Sequence, residues 1–164
     1  MIRASLLAAA SLILVVAAAP AIAAPSKGAQ VPAFTLSLLQ KRFGDQTYLP
    51  TRLPLRYQYL RWQRIDGKLV LTFKERTSAD SFRFEVSKLE PGAPCDGGGA
   101  FHRILQMDGN KVYYGGDKGY WKAWRCVVSP KTQTRYVLTV LSNGKLSDLD
   151  LARASASGKR FAKP

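Results

Sequence analysis

The sequence predicts an α+β protein in which an antiparallel sheet of about six to eight strands, arranged as a meander of hairpins, carries helix on one face. Two observations support this fold class. Short segments with alternating apolar and polar residues follow one another, and turn-forming pairs such as Asp66-Gly67 separate them. A later segment, residues 147–159, has the composition of a helix that begins at Ser147. A sheet with such alternation has one apolar face, which the helix would cover.

Residues 1–23 have the three parts of a secretory signal peptide. Arg3 gives the positive start, residues 6–19 are apolar and uncharged, and Ala21 and Ala23 form the small-x-small site that signal peptidase accepts. The apolar run is shorter than the roughly 20 residues of a membrane-spanning helix, although an uncleaved anchor is the alternative. We expect cleavage near Ala23-Ala24, a secreted, periplasmic or cell-wall location, and no transmembrane span after cleavage.

The following chain predicts a single domain, residues 34–158, between a flexible leader at 24–33 and a basic tail at 159–164. The leader is small, polar and contains proline, which is typical of a flexible segment. The next segment, FTLSLLQKRFG, fits either a short helix or a strand. Gly44 at its end favours the helix, because glycine is common just after a helix C-terminus.

The segment PLRYQYLRWQR, residues 54–64, predicts the first strand of the sheet. The alternation changes phase after Tyr59, because Leu60 and Trp62 are apolar on the other parity. A β-bulge explains this change, since it would bring Trp62 to the inner face and leave Arg61 outside. The apolar residues at alternate positions before the bulge, and hence on one predicted inner face, are Leu53, Leu55, Tyr57 and Tyr59.

The remaining elements follow from the same alternation and from turn residues. In the C-terminal helix, Ser147 is the predicted N-cap and Gly158 the predicted stop. The residues expected to dock this helix on the sheet are Leu149, Ala152 and Ala156. The turns are predicted at residues 65–68, 108–110, 115–119 and 142–145. The strands are predicted at residues 69–73, 82–89, 100–107, 111–114, 120–128 and 135–141, and the last is central because it is apolar on both faces.

The chain is strongly basic, with 25 Lys and Arg against 11 Asp and Glu and a formal net charge of +14. The predicted signal peptide contains Arg3 and no acidic residue, so the charge falls by one, to +13, after cleavage. Such a charge predicts partners rather than a fold. The anionic partners outside a cell are wall polymers, anionic lipids and glycans, and nucleic acid is a partner only where it is extracellular.

Cys95 and Cys126 are the two cysteines of the chain, and a single pair in an exported protein predicts a structural disulfide. A metal pair or a redox pair is the alternative. The cysteines lack CxxC spacing, and His102 is the single histidine, so neither alternative has the usual set of ligands or neighbours.

The residue pattern gives little support for catalysis. A Ser-His-Asp triad would need His102 as its base, and no GxSxG segment is present. The acids do not pair in sequence, CDGGGAF lacks the GK[S/T] of a phosphate-binding loop, and MDGN lacks the acid density of a calcium loop. We therefore assign no catalytic, metal or cofactor-binding residue and expect neither a cofactor nor an enzymatic activity.

Basic and aromatic residues lie together in two places, in the first strand and around the GGDKG turn at 115–119. Around the turn, the aromatic residues are interpreted in two ways: they pack across two strands in the core, or they form a stacking platform for a ligand. The candidate contacts with a ligand or partner are Arg56, Arg61, Arg64, Tyr114, Lys118, Tyr120, Trp121, Lys122 and Arg125.

The segments YLPTRLPLRY, DGKLVLTF and KLSDLDLARASAS occur in an order that resembles a family of small extracytoplasmic domains of unknown function in Gram-positive bacteria. These domains occur alone or on the outer part of anti-sigma factors. Ser147, Leu151 and Ser155 match the closing helix of that family, while residues 54–57 lack the glycine of its Pro-x-Gly-Tyr. The resemblance covers about residues 48–157 and implies a sheet-and-helix envelope module for sensing or binding, with no catalytic residues.

Three functions remain in order of preference. The first is a non-catalytic module that contacts an anionic wall polymer, lipid or glycan through a basic, aromatic-bearing sheet surface. The second is an inhibitor or regulator of an envelope protein, which would use the loop at 90–99 or the YYGGDKGYW turn as its contact. The third is a small hydrolase. We assume a monomer in each case.

Overall fold

The computed structural model describes residues 31–96, 103–117, 120–143 and 146–161. The predicted signal peptide and cleavage site, nearly all of the predicted leader, His102 and Lys118 lie outside these residues. The elements in chain order are α1 (Ala33–Phe43), a 3₁₀ turn (Gly44–Gln46), β1 (Tyr48–Leu49), β2 (Tyr57–Ile65), β3 (Lys68–Glu75), β4 (Ser81–Lys88), β5 (Arg103–Met107), β6 (Asn110–Asp117), β7 (Tyr120–Val128), β8 (Arg135–Ser142), α2 (Asp148–Ala156) and β9 (Lys159–Arg160).

Seven strands form one antiparallel sheet in the order β2-β3-β4-β8-β7-β6-β5, and β1 pairs with β9 in a second, two-stranded sheet. The predicted α+β class is therefore confirmed. Hairpins join successive strands within two groups, β2 to β4 and β5 to β8, and β8 then pairs with β4 to join the groups. β8 is the fourth of seven strands, which agrees with the central position that its apolar faces predict.

Two hairpin turns have the conformation that their sequences predict. Asp66 and Gly67 have φ of 48° and 75°, and Asp108 and Gly109 have φ of 51° and 74°. Positive φ at both central residues is the requirement of a type I′ turn, whose twist matches that of the flanking strands.

The third predicted turn, at residues 115–119, is wrong for its first residues. β6 continues through Gly115 and Gly116 to Asp117. A β-carbon at Gly116 would collide with the indole ring of Trp121. Gly116 therefore lets the ring of Trp121 pack against the backbone of β6, and the chain does not reverse there.

The predicted bulge is confirmed, because the pairing of β2 with β3 shifts register between Tyr59 and Arg61. Before the bulge, however, the strand begins at Tyr57 and not near residue 53. Leu53 is buried outside the strand, whereas Leu55 is 69% exposed, so the prediction of an inward Leu55 is wrong. A turn around Pro54, whose carbonyl accepts from the amide of Tyr57, replaces the expected extended chain there.

Both helices lie on the same side of the large sheet. α1 contacts the edge strand β2, where Phe43 meets Trp62 edge to face with ring centroids 5.9 Å apart. α2 packs across β6, β7 and β8. The buried apolar residues between these layers, which form the core, include Leu39, Tyr57, Leu71, Phe73, Phe82, Phe84, Val86, Tyr114, Leu138, Val140, Leu151 and Ala152.

The start and end of α2 follow the prediction, and its docking face does so in part. The hydroxyl of Ser147 accepts from the amide of Asp150, as an N-cap does. Ala152 and Ala156 are buried as predicted, but Leu149 is 44% exposed, and Leu151 and Ser155 are fully buried instead. The buried face extends to Ser155, whose hydroxyl donates to the carbonyl of Leu138 at 3.2 Å.

After α2, Lys159 and Arg160 pair with Leu49 and Tyr48 as β9 and β1. These two residues belong to the segment predicted as a basic tail. Arg160 also bonds Asp45. Burial opposes ionisation of Asp45, but hydrogen bonds from Ser129 and Thr132 and the charge of Arg160 together hold its pKa below the usual value.

Candidate functional site

The large sheet has a covered face, which lies under α1 and α2, and an opposite face that we call the open face. The two faces follow from strand geometry, because successive side chains point to opposite sides. In β7, Trp121, Ala123 and Arg125 belong to the covered face, and Tyr120, Lys122 and Trp124 belong to the open face. Of the helices that the structure describes, neither packs on the open face.

A line of paired residues crosses the open face from β2 to β7. Three of these residues are basic, and we call Arg61, Arg83 and Lys122 the basic row. Adjacent strands are about 4.8 Å apart, so basic residues on alternate strands are separated by about 10 Å at the backbone. The members of the line, each paired with the next, are Arg61, Thr72, Arg83, Leu141 and Lys122.

The bulge in β2 is what places Arg61 in this line. Without the extra residue, the parity of Tyr57 and Tyr59 would put Arg61 on the covered face. With the register shift, Arg61 pairs with Thr72, and Trp62 pairs with Leu71 on the covered face.

A groove of about 300 Å³ lies along this part of the open face. Tyr120, which is 62% exposed, stands at one side of it, and Arg61 and Arg83 lie along it. The residues that line the groove are Arg61, Gln63, Thr72, Ser81, Phe82, Arg83, Tyr120, Leu141, Ser142 and Asn143.

The charge of the groove is positive. Within the described ranges, neither Arg61 nor Arg83 forms an ion pair. Lys122 is partly exposed and continues the basic row beyond the lining of the groove, with its ammonium 4.8 Å from the ring centroid of Trp124. Glu85 lies two residues after Arg83 in β4, on the same face, and pairs with Val70 and Thr139. In this part of the open face the three cations of the basic row lie near the carboxylate of Glu85, and their excess charge attracts anions.

The other end of the open face is closed by packing. Tyr113 and Trp124 are buried and stack with centroids 5.8 Å apart and planes 20° apart. The Trp124 indole N–H donates to the carbonyl of Cys95 at 3.2 Å, which ties the loop before β5 to the sheet. These two aromatic side chains therefore belong to the packed interior, as the core interpretation expects.

Cys95 and Cys126, the predicted disulfide, have Cα atoms 5.8 Å apart, a separation that a disulfide requires. Cys126 is in β7 on the open face, two residues after Trp124. The cysteine pair and the hydrogen bond from Trp124 both hold the loop at Cys95 against β7.

Two further candidates, Tyr114 and Trp121, are on the covered face. Their rings stack with centroids 5.6 Å apart and planes 5° apart, and Trp121 is 40% exposed. The Tyr114 hydroxyl donates to the carboxylate of Asp148 at the start of α2. Burial, and then the hydrogen bond and charge of Asp148, raise the pKa of Tyr114 to about 12. The hydrogen bond from Tyr114 to Asp148 therefore holds the start of α2 against the sheet.

Arg125 is also on the covered face, where it holds the end of α2. Its guanidinium donates to the carbonyls of Ser155 at 2.9 Å and Gly158 at 2.5 Å, and to the side chain of Asn110 at 2.7 Å. Burial lowers its pKa from the usual arginine value. Since its donors are used inside the protein, Arg125 has a structural role rather than the predicted surface role.

The remaining arginine candidates lie near the edge of the sheet. Arg56 precedes β2, with its Nε 3.3 Å from a carboxylate oxygen of Glu75 and its guanidinium 5.4 Å from the ring of Tyr57. Arg64 pairs with Leu69 on the covered side and is exposed at the end of the hairpin. Neither lies in the groove.

The structure thus brings three of the predicted contacts, Arg61, Tyr120 and Lys122, to one face and adds Arg83. Sequence reasoning missed Arg83, which lies in the predicted strand at residues 82–89. The signal that identifies it is the pairing of β4 with β8, which links Arg83 through Leu141 to Lys122.

Among the described residues, no group of three or more His, Cys, Asp and Glu side chains is placed to hold a metal ion. In the same parts of the chain, no helix has both the length and the apolar character needed to cross a membrane. Comparison with protein-family models, with curated proteins and with solved structures gave no match to this chain.

Proposed function

We propose that this protein is a secreted or cell-envelope binding module that holds an anionic partner on the open face of its sheet and carries out no catalytic step. The observation that carries the proposal is the basic row. Arg61, Arg83 and Lys122 lie in one line across five strands, and the two arginines have no ion-pair partner in the described chain.

The electrostatics of the whole chain support the same partner. A formal net charge of +14 gives a positive potential at long range, which raises the rate at which anions approach. At short range, the basic row then supplies the cationic side chains that contact the anion. Arginine is well suited to it, because the planar guanidinium donates two parallel hydrogen bonds to a carboxylate or phosphate.

The location outside the cytoplasm rests on the pattern of residues 1–23 and on the cysteine pair. Cα atoms 5.8 Å apart are compatible with a disulfide, which forms and persists in an oxidising compartment. The resemblance to small extracytoplasmic domains points to the same compartment and to binding rather than catalysis.

The test is salt-dependent retention on acidic polysaccharide, isolated wall polymer, anionic vesicles and DNA. The variant Arg61→Gln with Arg83→Gln removes two charges from the groove. The matched control, Lys41→Gln with Arg153→Gln, removes two charges from exposed positions of α1 and α2 on the other side of the sheet.

Wild type should be retained at low salt and released as salt rises, because screening weakens exposed charge pairs. We expect the groove variant to bind about tenfold more weakly, since two exposed contacts contribute about 0.5–1 kcal/mol each. The control should stay within about twofold of wild type. Retention that is absent at low salt, or equal losses in both variants, would contradict the proposal. A stoichiometric protein captured without regard to salt would favour a protein partner instead.

A further inference from the structure

We infer that the ligand of the groove is a single chain of an acidic polysaccharide, with carboxylates on its sugar rings, that runs across the strands along the basic row. This inference rests on the proposed function and narrows it to one class of partner. It combines three features of the groove: its shape, its arginine pair and its exposed tyrosine.

The shape favours a narrow chain over a flat surface. The groove has a volume of about 300 Å³ and is recessed between side chains of β2, β4 and β7. This volume is at the lower end of the range for small-ligand sites, so it suits one or two sugar units at a time. A lipid surface would contact the rim of such a recess but not its floor.

The arginine pair favours an oxyanion above Thr72. Arg61 and Arg83 pair with Thr72 from the two neighbouring strands, so both guanidinium groups can reach an anion over the same residue. Thr72 is itself buried, at 7% exposure, and lines the groove between the two arginines. A planar carboxylate matches the paired N–H groups of each guanidinium.

Tyr120 supplies the feature that an anion alone does not need. It is 62% exposed, lines the groove and lies two residues from Lys122 on the same face. An aromatic ring offers an apolar face with a polar tip, and the apolar face of a sugar ring packs on such a surface. A polysaccharide that carries its charges on its rings uses both the tyrosine and the arginines.

The direction of the chain follows from the line of paired residues. Arg61, Arg83 and Lys122 are on alternate strands at about 10 Å intervals, as twice the strand spacing requires. The line runs across the strands and not along them. A ligand that contacts all three cations must therefore cross the sheet.

The experiment compares Tyr120→Ala with Tyr120→Phe by calorimetric or biolayer binding to polygalacturonate, polyphosphate, dextran and phosphatidylglycerol vesicles. The control is Phe34→Ala, which removes an aromatic ring that is 82% exposed on α1. The exposure of both positions means that neither change disturbs the core. Folding is checked by the thermal unfolding midpoint of each variant.

We expect Tyr120→Ala to bind polygalacturonate about fivefold more weakly and polyphosphate within about twofold of wild type, because it removes ring packing and no charge. Tyr120→Phe and Phe34→Ala should bind polygalacturonate like wild type, and dextran should not bind. Equal losses for polygalacturonate and polyphosphate, no loss for either, or tighter binding of the vesicles would overturn the inference. Failure of the proposed function is distinct, because then none of the anions binds, or the paired Arg61 and Arg83 substitutions have no effect.

Discussion

Arg125 and Arg83 are on neighbouring parts of one sheet, but their surroundings differ completely. Arg125, on the covered face, donates to two carbonyls at the end of α2 and to Asn110. Arg83, on the open face, lines a groove and has no ion pair among the described residues. An arginine therefore stabilises the fold on the covered face, whereas another arginine on the open face remains available to a ligand.

The tyrosines show the same contrast. Tyr114 is buried under Trp121 and bonds Asp148, whereas Tyr120 is exposed beside the groove. Residue type in the sequence is the same in the two cases. The difference teaches that the face of the sheet, and not the mixture of basic and aromatic residues in a segment, decides whether a side chain belongs to the fold or to the binding surface.

The largest test of this contrast uses two consecutive residues of β4. Phe84 is fully buried on the covered face, so Phe84→Ala should lower the free energy of unfolding by about 3–5 kcal/mol. Arg83→Ala, on the open face, should change it by less than about 0.5 kcal/mol and weaken anion binding. Urea unfolding followed by tryptophan fluorescence measures both. Similar losses of stability in the two variants would contradict the assignment of the faces.

Replacing the cysteine pair tests the part of the open face where Tyr113 and Trp124 are buried. If Cys95 and Cys126 are bonded, replacing both with Ser should lower the free energy of unfolding by about 3–4 kcal/mol, because the bond closes a long loop. The loop that accepts from Trp124 should then loosen, with a red shift of tryptophan emission. Retention on acidic polysaccharide should persist, because the basic row does not include the loop. An unchanged stability would mean that the bond does not form.

Arg125→Met tests the covered face by removing a charge that is not offered to a ligand. We expect a loss of about 2–3 kcal/mol in the free energy of unfolding, because the carbonyls of Ser155 and Gly158 lose a charged donor. Anion binding by the folded fraction should remain close to that of wild type. Arg125→Lys should recover little stability, since one ammonium cannot reproduce the planar set of donors. A variant of normal stability and poor binding would instead place Arg125 in the binding surface.

The smallest expected effect is the contribution of Tyr114 to the pH dependence of the free energy of unfolding. Its pKa is about 12 in the folded protein, against 10.0 for an ordinary tyrosine. The raised pKa means that the unfolded chain loses this proton first, so the contribution is present below about pH 10 and is lost as pH rises towards 12. The free energy of unfolding should therefore fall over this window, and less steeply in Tyr114→Phe. Equal pH slopes in the two proteins would show that Tyr114 is not the group responsible.

Local residue patterns were sufficient to predict much of this fold. Turn pairs such as Asp66-Gly67 predict their hairpins because positive φ is a local requirement. The change of parity after Tyr59 predicts the bulge for a similarly local reason. The central position of β8 follows from its two apolar faces.

The groove was harder to predict, because it depends on pairing between distant strands. Arg83 joins Lys122 only because β4 pairs with β8 and not with the next strand in the chain. The local pattern predicts a turn at Gly116, but the glycine makes room for the ring of Trp121, a contact that no local pattern indicates. The burial of Ser155 in α2 likewise accompanies a hydrogen bond to Leu138 on a distant strand.

The open face of the sheet carries the ligand site, and the covered face packs the core. The most direct measurement is a titration of ¹⁵N-labelled protein with polygalacturonate, in which backbone amide shifts report the position of the ligand. We predict that the changes follow the line across the sheet and leave α2 unaffected, so that the shifted amides are those of Arg61, Thr72, Arg83, Leu141, Lys122 and their neighbours. Shifts centred on α2, with the line across the open face unchanged, would contradict the claim.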